Sequence, residues 1–92
     1  NRAKCFSGSH TAGTSATVMT DSTAAFTVDA LIGWKIYNVT DGSYGVITDN
    51  DATTVTVAAL VGGTDNDWDT NDDYEINQSL SITGLSWMEP RK

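Results

Sequence analysis

The sequence predicts an all-β protein, built either as a small SH3-like barrel or as a compact β-sandwich. Two runs rich in β-branched and aromatic residues flank the pair Asp41-Gly42, a strong short-range signal for a β-hairpin. Thr, Ser, Asp, Asn and Gly make up much of the remaining chain and favour short strands and turns over helices. Several strands in a chain of 92 residues have to curl, because a flat sheet would leave two free edges open to aggregation.

The chain is expected to divide into an arm and one domain. Residues 1–14 hold few apolar side chains, and their Ser and Gly residues break any periodic pattern. We therefore expect an extended N-terminal arm, anchored by Cys5 and Phe6. Residues 15–92 are expected to form a single domain, since a chain of this length supports one small core.

Alternation of apolar and polar residues predicts the strands ahead of the hairpin. Residues 15–20 alternate, and after a turn Phe26 and Val28 alternate in the same way. A short apolar run follows and stops at Gly33. We expect no helix here beyond one turn near 28–31.

A two-residue loop at Asp41-Gly42 predicts the register of the hairpin. Thr40 then faces Ser43, and Tyr37 faces Val46. Because side chains alternate along a strand, the hairpin has two distinct faces. One face holds Trp34, Ile36, Asn38, Gly45 and Ile47, and we assign it to the core. The other holds Lys35, Tyr37, Val39, Tyr44 and Val46, and we call it the outer hairpin face.

The outer hairpin face is apolar except for Lys35, so we expect another segment or another chain to bury it. Two alternatives stay open: the N-terminal arm or the tail around Trp87 folds over it, or a second chain binds it. In the second case the predicted protein-contact residues are Phe6, Tyr37, Val39, Tyr44, Val46 and Trp87.

Turn residues separate the elements that follow the hairpin. The predicted elements are a turn at 49–51, a strand over 53–60, an acidic loop over 65–73 and closing strands at 74–76 and 80–82. The strand over 53–60 is the most β-prone stretch of the chain, and Gly62-Gly63 ends it.

The acidic loop is a weak candidate for a calcium site. Asp65, Asp67 and Asp69 stand at positions one, three and five, as in the opening of an EF-hand loop. The match then fails, because the glycine at position six, the glutamate at position twelve and the flanking helices are missing. Two interpretations remain: a solvated turn with Trp68 tucked under it, or a calcium site of another kind. The residues of that site would be Asp65, Asp67, Asp69, Asp72 and Asp73.

The sequence carries no pattern typical of an active site. A single Cys and a single His, Cys5 and His10, supply too few ligands for a structural zinc site and no Ser-His-Asp set. Gly62-Gly63 lacks the lysine of a phosphate-binding loop. A carboxylate pair for glycoside cleavage needs a deep cleft, which so small a domain rarely forms. We expect no enzymatic activity and no cofactor.

Charge narrows the classes of partner. Twelve acidic against five basic residues give a net charge of −7, which repels both a phosphate backbone and an anionic membrane. We therefore expect neither nucleic acid nor membrane as a partner. Aromatic rings can stack on sugars, so a glycan-binding module is the second functional class that we consider. Its candidate platform is Trp34, Trp68, Trp87, Tyr37 and Tyr44.

Several segments between Ala16 and Ile76 together resemble a small β-domain of tailed-bacteriophage virion proteins. The residues that carry the resemblance are 16–22, Ala25-Phe26, 33–38, 40–43, 53–57, Leu60, 62–68 and 73–76. Similar segments occur in capsid-decorating, fibre and tail-associated proteins. They usually have Gly-Asp ahead of the hairpin strand, where this chain has Gly33-Trp34.

The resemblance implies a non-enzymatic structural protein of the virion. The implied role is that of a decoration or accessory subunit that forms homo-oligomers and binds a capsid or tail protein lattice. The alternative role is a glycan-binding module of a phage fibre or tail. No functional residues are carried over from the family.

Overall fold

Six antiparallel strands curl into one half-barrel sheet in the computed structural model, which describes residues 5–78. The strands are β1 (Cys5–Ser9), β2 (Val18–Thr20), β3 (Lys35–Asn38), β4 (Ser43–Asn50), β5 (Thr54–Val57) and β6 (Asp73–Asn77). Their order across the sheet is β1-β6-β3-β4-β5-β2. The predicted all-β class is confirmed, and the curled sheet is consistent with a small SH3-like barrel or β-sandwich. Residues 28–33 form turns and no helix.

The N-terminal segment belongs to the sheet. β1 pairs with β6 in antiparallel register, with Phe6 opposite Ile76. Residues 5–9 of the arm expected over 1–14 are therefore a strand of the sheet, while residues 1–4 lie outside the described residues. Glycine suits position 8 of this strand because a Cβ there would lie 2.6 Å from a carboxylate oxygen of Asp21.

His10 fixes the chain after β1 and is fully buried. Its Nδ1 accepts a hydrogen bond from the backbone N–H of Thr20 at 3.0 Å, so the other ring nitrogen carries the proton. That nitrogen, Nε2, donates to the carbonyl oxygen of Gly13 at 2.6 Å. The backbone N–H of Thr11 adds a 2.7 Å bond to the carbonyl of Thr20. The imidazole thus joins the two edge strands of the half-barrel, and its role is structural.

The hairpin forms as predicted, but its register differs by two residues. Asn38 faces Ser43 and Tyr37 faces Tyr44, so four residues connect the strands where two were predicted. The side chain of Asn38 stabilises the longer turn, because its Oδ1 accepts the N–H of Asp41 at 3.0 Å. Since side chains alternate with a period of two, an even shift leaves each residue on its predicted face.

The core lies on the concave side of the sheet, on the predicted face of the hairpin. Ile36 and Ile47 are almost completely buried, which confirms that assignment. Trp68 is also fully buried and lies beneath the acidic loop, as one interpretation of that loop required. The buried apolar residues are Met19, Phe26, Leu31, Ile36, Ile47, Val55, Val57, Leu60, Trp68, Tyr74 and Ile76.

A buried carboxylate joins β6 to the loop after β2. Asp21 is 4% exposed and accepts a 2.7 Å hydrogen bond from the hydroxyl of Tyr74. It also accepts bonds from the backbone N–H and the hydroxyl of Thr23. Burial by itself raises the pKa of Asp21, but the hydrogen bonds outweigh it and hold that pKa below its usual value. Burial and the Asp21 charge raise the pKa of Tyr74.

Candidate functional site

On the outer hairpin face of the described structure, Val39, Tyr44 and Val46 are exposed, while Lys35 and Tyr37 are half-buried. Tyr37 and Tyr44 lie opposite each other with ring centroids 5.9 Å apart. The Nζ of Lys35 lies 5.6 Å from the centroid of the Tyr44 ring, close enough for a cation–π contact. Val46, opposite Lys35, is 53% exposed, and Tyr44 is 40% exposed. Apolar side chains therefore point outward from the two central strands of the sheet.

Val61 extends this surface beyond the residues that the sequence indicated. Its backbone N–H and carbonyl each form a 3.0 Å hydrogen bond with the backbone of Tyr44. Val61 is 49% exposed, and Gly62 lies against the Tyr44 ring. Leu60 is buried, and because side chains alternate between the two faces of extended backbone, the outward position of Val61 could have been predicted from the sequence. We call Tyr37, Val39, Tyr44, Val46 and Val61 together the tyrosine patch.

Phe6 does not belong to this surface. It shares the opposite face of the sheet with Ile76, and its ring packs edge-on against Phe26 at 5.7 Å and stacks on Trp34 at 6.0 Å. The structure thus brings four of the six predicted contact residues together and places Phe6 elsewhere. Trp87 lies outside the described residues.

The predicted sugar-stacking platform is not assembled in the described part of the chain. Trp68 is fully buried, so its ring cannot meet a ligand. Trp34 is half-buried and stacks on Phe6, away from Tyr37 and Tyr44. Of the proposed rings described by the structure, only the two tyrosines remain close together on an open surface.

Asp65, Asp67 and Asp69 do converge. One oxygen from each carboxylate lies within 4.8 Å of the others. Oδ1 of Asp67 is buried and has no hydrogen-bond partner among residues 5–78. Burial, followed by repulsion from Asp69, Asp65 and other nearby carboxylates, raises the pKa of Asp67. Carboxylate oxygens are the ligands that calcium takes, yet acidic side chains also converge on many surfaces that hold no ion.

The two remaining acids of the wider calcium set serve the fold. Asp72 accepts hydrogen bonds from the Asn38 side chain and from the backbone N–H of Asp69, both at 2.9 Å. Asp73 accepts a 2.8 Å bond from the Ser9 hydroxyl, which joins β6 to β1. The five-residue set predicted from the sequence is therefore reduced to three.

Asp41 gives the acidic loop its shape. Its carboxylate accepts hydrogen bonds from three consecutive backbone N–H groups, those of Thr64, Asp65 and Asn66, at 3.1, 2.8 and 2.9 Å. The bond from Asp65 contributes most to lowering the pKa of Asp41. The hairpin turn and the acidic loop are thus one hydrogen-bonded unit beside the tyrosine patch.

Residues 5–78 include no helix with the length and apolar character needed to cross a bilayer. Comparisons of this chain with protein-family models, with curated protein sequences and with solved structures found no match.

Proposed function

We propose that this chain is a non-enzymatic structural protein of a tailed-phage virion, a decoration or accessory subunit that binds a capsid or tail protein lattice. The tyrosine patch is the contact surface in this proposal. The observation that carries it is the outward exposure of Tyr44 and Val46 on the central strand β4 and of Val61, which is hydrogen-bonded beside Tyr44. Exposed apolar clusters of this kind mark interfaces between proteins. The virion setting rests on the sequence resemblance.

The geometry of the patch suits a binding centre. Tyr37 and Tyr44 already pack against each other, and Lys35 lies over one of the rings. Side chains held in place before binding lose little conformational freedom on association. Tyrosine is among the residues that contribute most to binding energy at the centre of an interface. A stable interface buries about 800 Å² on each partner, so the polar residues around the patch would form its rim.

The charge around the patch also favours a protein partner. Lys35 is the single Lys or Arg between Lys4 and Arg91, in a chain with a net charge of −7. It lies at the patch, where its ammonium group can face a carboxylate or a carbonyl oxygen of the partner. Each further copy of an acidic chain supplies such carboxylates, which agrees with homo-oligomers on a lattice.

The contact surface can be tested on the full chain with matched valine variants. Val46→Ser removes an exposed apolar side chain from the patch, whereas Val28→Ser does the same at a comparably exposed position, 56% against 53%, in a turn outside it. Tyr44→Ser is the second patch variant. We expect sedimentation velocity over a concentration series to show oligomers of the wild type. The patch variants should weaken association about tenfold or more, equivalent to about 1.4 kcal/mol, and Val28→Ser should leave it unchanged.

Two results would contradict the proposal. The tyrosine patch is not the contact surface if the wild type stays monomeric at every concentration. The same conclusion follows if Val28→Ser weakens association as much as Val46→Ser does. The virion role has its own test, which is peptide mass spectrometry of density-purified particles from the source culture. Peptides of this chain at multicopy stoichiometry support the role, and their absence from the particles refutes it.

The glycan-binding alternative now depends on Tyr37 and Tyr44, the rings that remain together on the surface. It predicts saturable fluorescence changes when oligosaccharides are titrated into the chain, and their loss in Tyr44→Ser. Lattice binding predicts no such change. We favour lattice binding because valines, which offer no stacking surface, make up the rest of the patch.

A further inference from the structure

The outer side of the sheet carries an acid and a base on opposite sides of the tyrosine pair. The acid is Glu75, which is exposed and points outward from β6, because its neighbours Tyr74 and Ile76 are buried. Glu75 lies opposite Tyr37 of β3, and Tyr37 lies opposite Tyr44 of β4. The three side chains therefore form one row across the outer side, with the carboxylate at one end.

The base lies at the other end of that row. Lys35 belongs to β3, but its Nζ lies 5.6 Å from the centroid of the Tyr44 ring on β4. Since β3 lies between β6 and β4, the ammonium group leans away from Glu75. Asp73, an exposed carboxylate on the same strand as Glu75, already accepts the hydroxyl of Ser9. The row thus presents a negative end, two aromatic rings and a positive end.

Such a row is complementary to itself when it is turned around. Consider a two-fold axis that runs along β3, in the plane between two facing sheets. It places β6 of one copy over β4 of the other, because these two strands flank β3. Neighbouring strands lie about 4.8 Å apart, so the two charged ends are at similar distances from the axis. Tyr37 then meets the Tyr37 of the other copy, and each Glu75 faces the other copy's Lys35.

We propose that the tyrosine patch binds the tyrosine patch of a second copy of this chain through this two-fold arrangement, with two reciprocal contacts between Lys35 and Glu75. The inference rests on the proposed function and deepens it, because it names the partner of the same surface. Two sheets that pack face to face usually keep their strands within about 30° of each other, as this axis requires. A two-fold contact uses the same surface on both copies, so assembly at the patch stops at two chains.

Charge is the reason for choosing a second copy as the partner. The chain has a net charge of −7, so two copies repel each other unless their contact places opposite charges together. The two-fold arrangement does so twice. The core fills the concave side of the curled sheet, so the outer side is convex. Two convex surfaces touch over the strands nearest the axis, which are the strands that carry Lys35, Tyr37 and Glu75.

Charge reversal on the full chain tests the pairing. Lys35→Glu would place two carboxylates together at both contacts of a dimer, and Glu75→Lys would place two ammonium groups together. We expect sedimentation velocity to show that either variant alone associates about tenfold or more weakly than the wild type, because like charges in contact are strongly unfavourable. An equal mixture of the two variants restores opposite charges at both contacts. The mixture should therefore recover the association of the wild type, as dimers that hold one chain of each variant.

Asp51→Lys is the matched control. It makes the same change of charge as Glu75→Lys at an exposed position between β4 and β5, outside the patch. Both variants reduce the net negative charge of the chain by two, which by itself lessens the repulsion between copies. Asp51→Lys should therefore associate at least as tightly as the wild type, whereas Glu75→Lys should associate more weakly. These opposite directions distinguish a local contact from an effect of net charge.

The outcomes separate this inference from the proposed function. A wild type that is monomeric at every concentration overturns both. If Val46→Ser weakens association but the mixed charge variants do not recover it, the patch remains a contact surface and only the two-fold pairing is wrong. Wild-type assemblies larger than dimers that both charge reversals abolish would also overturn the two-fold pairing alone. Recovery in the mixture supports the pairing and shows at the same time that both variants fold.

Discussion

Tyr74→Phe removes one hydroxyl from a buried site and so measures what the Tyr74–Asp21 hydrogen bond contributes to stability. Asp21 is 4% exposed, and the Tyr74 hydroxyl donates to its carboxylate at 2.7 Å. A hydrogen bond to a charged group contributes about 1.5–3 kcal/mol. We therefore expect the free energy of unfolding to fall by about that amount at pH 7. At about 4–8 °C per kcal/mol for a domain of this size, Tm should fall by about 6–24 °C.

The pH dependence identifies the carboxylate as the cause. The folded-state pKa of Asp21 is lowered, so its contribution is present above its unfolded-state value of about 3.9. It is lost as the pH falls through the folded-state pKa. The difference between the wild type and Tyr74→Phe should therefore be largest near neutral pH. It should shrink below about pH 4, where a neutral carboxyl leaves a bond of about 0.5–1.5 kcal/mol.

Urea unfolding followed by tryptophan fluorescence, at pH 7 and near pH 3, measures both effects. Tyr37→Phe is the matched control, because it deletes the same hydroxyl from a side chain on the tyrosine patch. The control should change stability by less than about 0.5 kcal/mol at either pH. A Tyr74→Phe variant as stable as this control, or a loss of equal size at both pH values, would refute the reasoning.

Three further predictions follow from the packing and the charges. Asp67→Asn should raise the free energy of unfolding at pH 7 in the presence of a chelator. The folded-state pKa of Asp67 is raised, which means that its ionised form opposes folding. The gain in stability should therefore vanish in acid, where Asp67 is protonated in both the folded and the unfolded state. A calcium-dependent rise in Tm that Asp67→Asn abolishes would instead show that the loop binds a cation. Gly8→Ala should cost about 1–3 kcal/mol in urea unfolding, since its Cβ would lie 2.6 Å from Asp21, whereas Gly13→Ala, with open space around it, should not. His10→Phe should cost about 1–3 kcal/mol and expose backbone amides near Thr20 to hydrogen exchange, because the part-buried N–H of Thr20 and C=O of Gly13 lose their imidazole partner.

Side-chain alternation explains why the faces of the hairpin were predictable although its register was not. The register differs by two residues, because Asn38 and Asp41 stabilise a four-residue turn through hydrogen bonds to its backbone and to the acidic loop. The acidic-loop residues that bond Asp41 lie more than twenty residues away in sequence, so the local Asp41-Gly42 pattern could not predict these hydrogen bonds. An even shift keeps Tyr44 and Val46 on the outer face, and this part of the candidate site was therefore found from the sequence.

Long-range contacts explain the residues that were misplaced. His10 and Gly8 lie in a stretch without apolar periodicity, and their role follows from β6 and the loop after β2 closing around them. Phe6 was predicted as a contact residue in addition to the outer hairpin face, because nothing in the sequence shows which strand β1 joins. Its pairing with β6 places it beside Phe26 and Trp34 instead. Val61 was missed because the chain has to fold back on Tyr44 before the two side chains become neighbours.

The sequence by itself determined the all-β class, the hairpin, and the division of its residues into a core face and an outer face. These features depend on local propensity and on a period of two, which neighbouring residues encode. The tertiary structure alone decided the strand order, the inclusion of residues 5–9 in the sheet, the burial of Trp68, and the reduction of the acidic set to Asp65, Asp67 and Asp69. Each of these depends on contacts between residues distant in the chain, whose energies no local pattern contains.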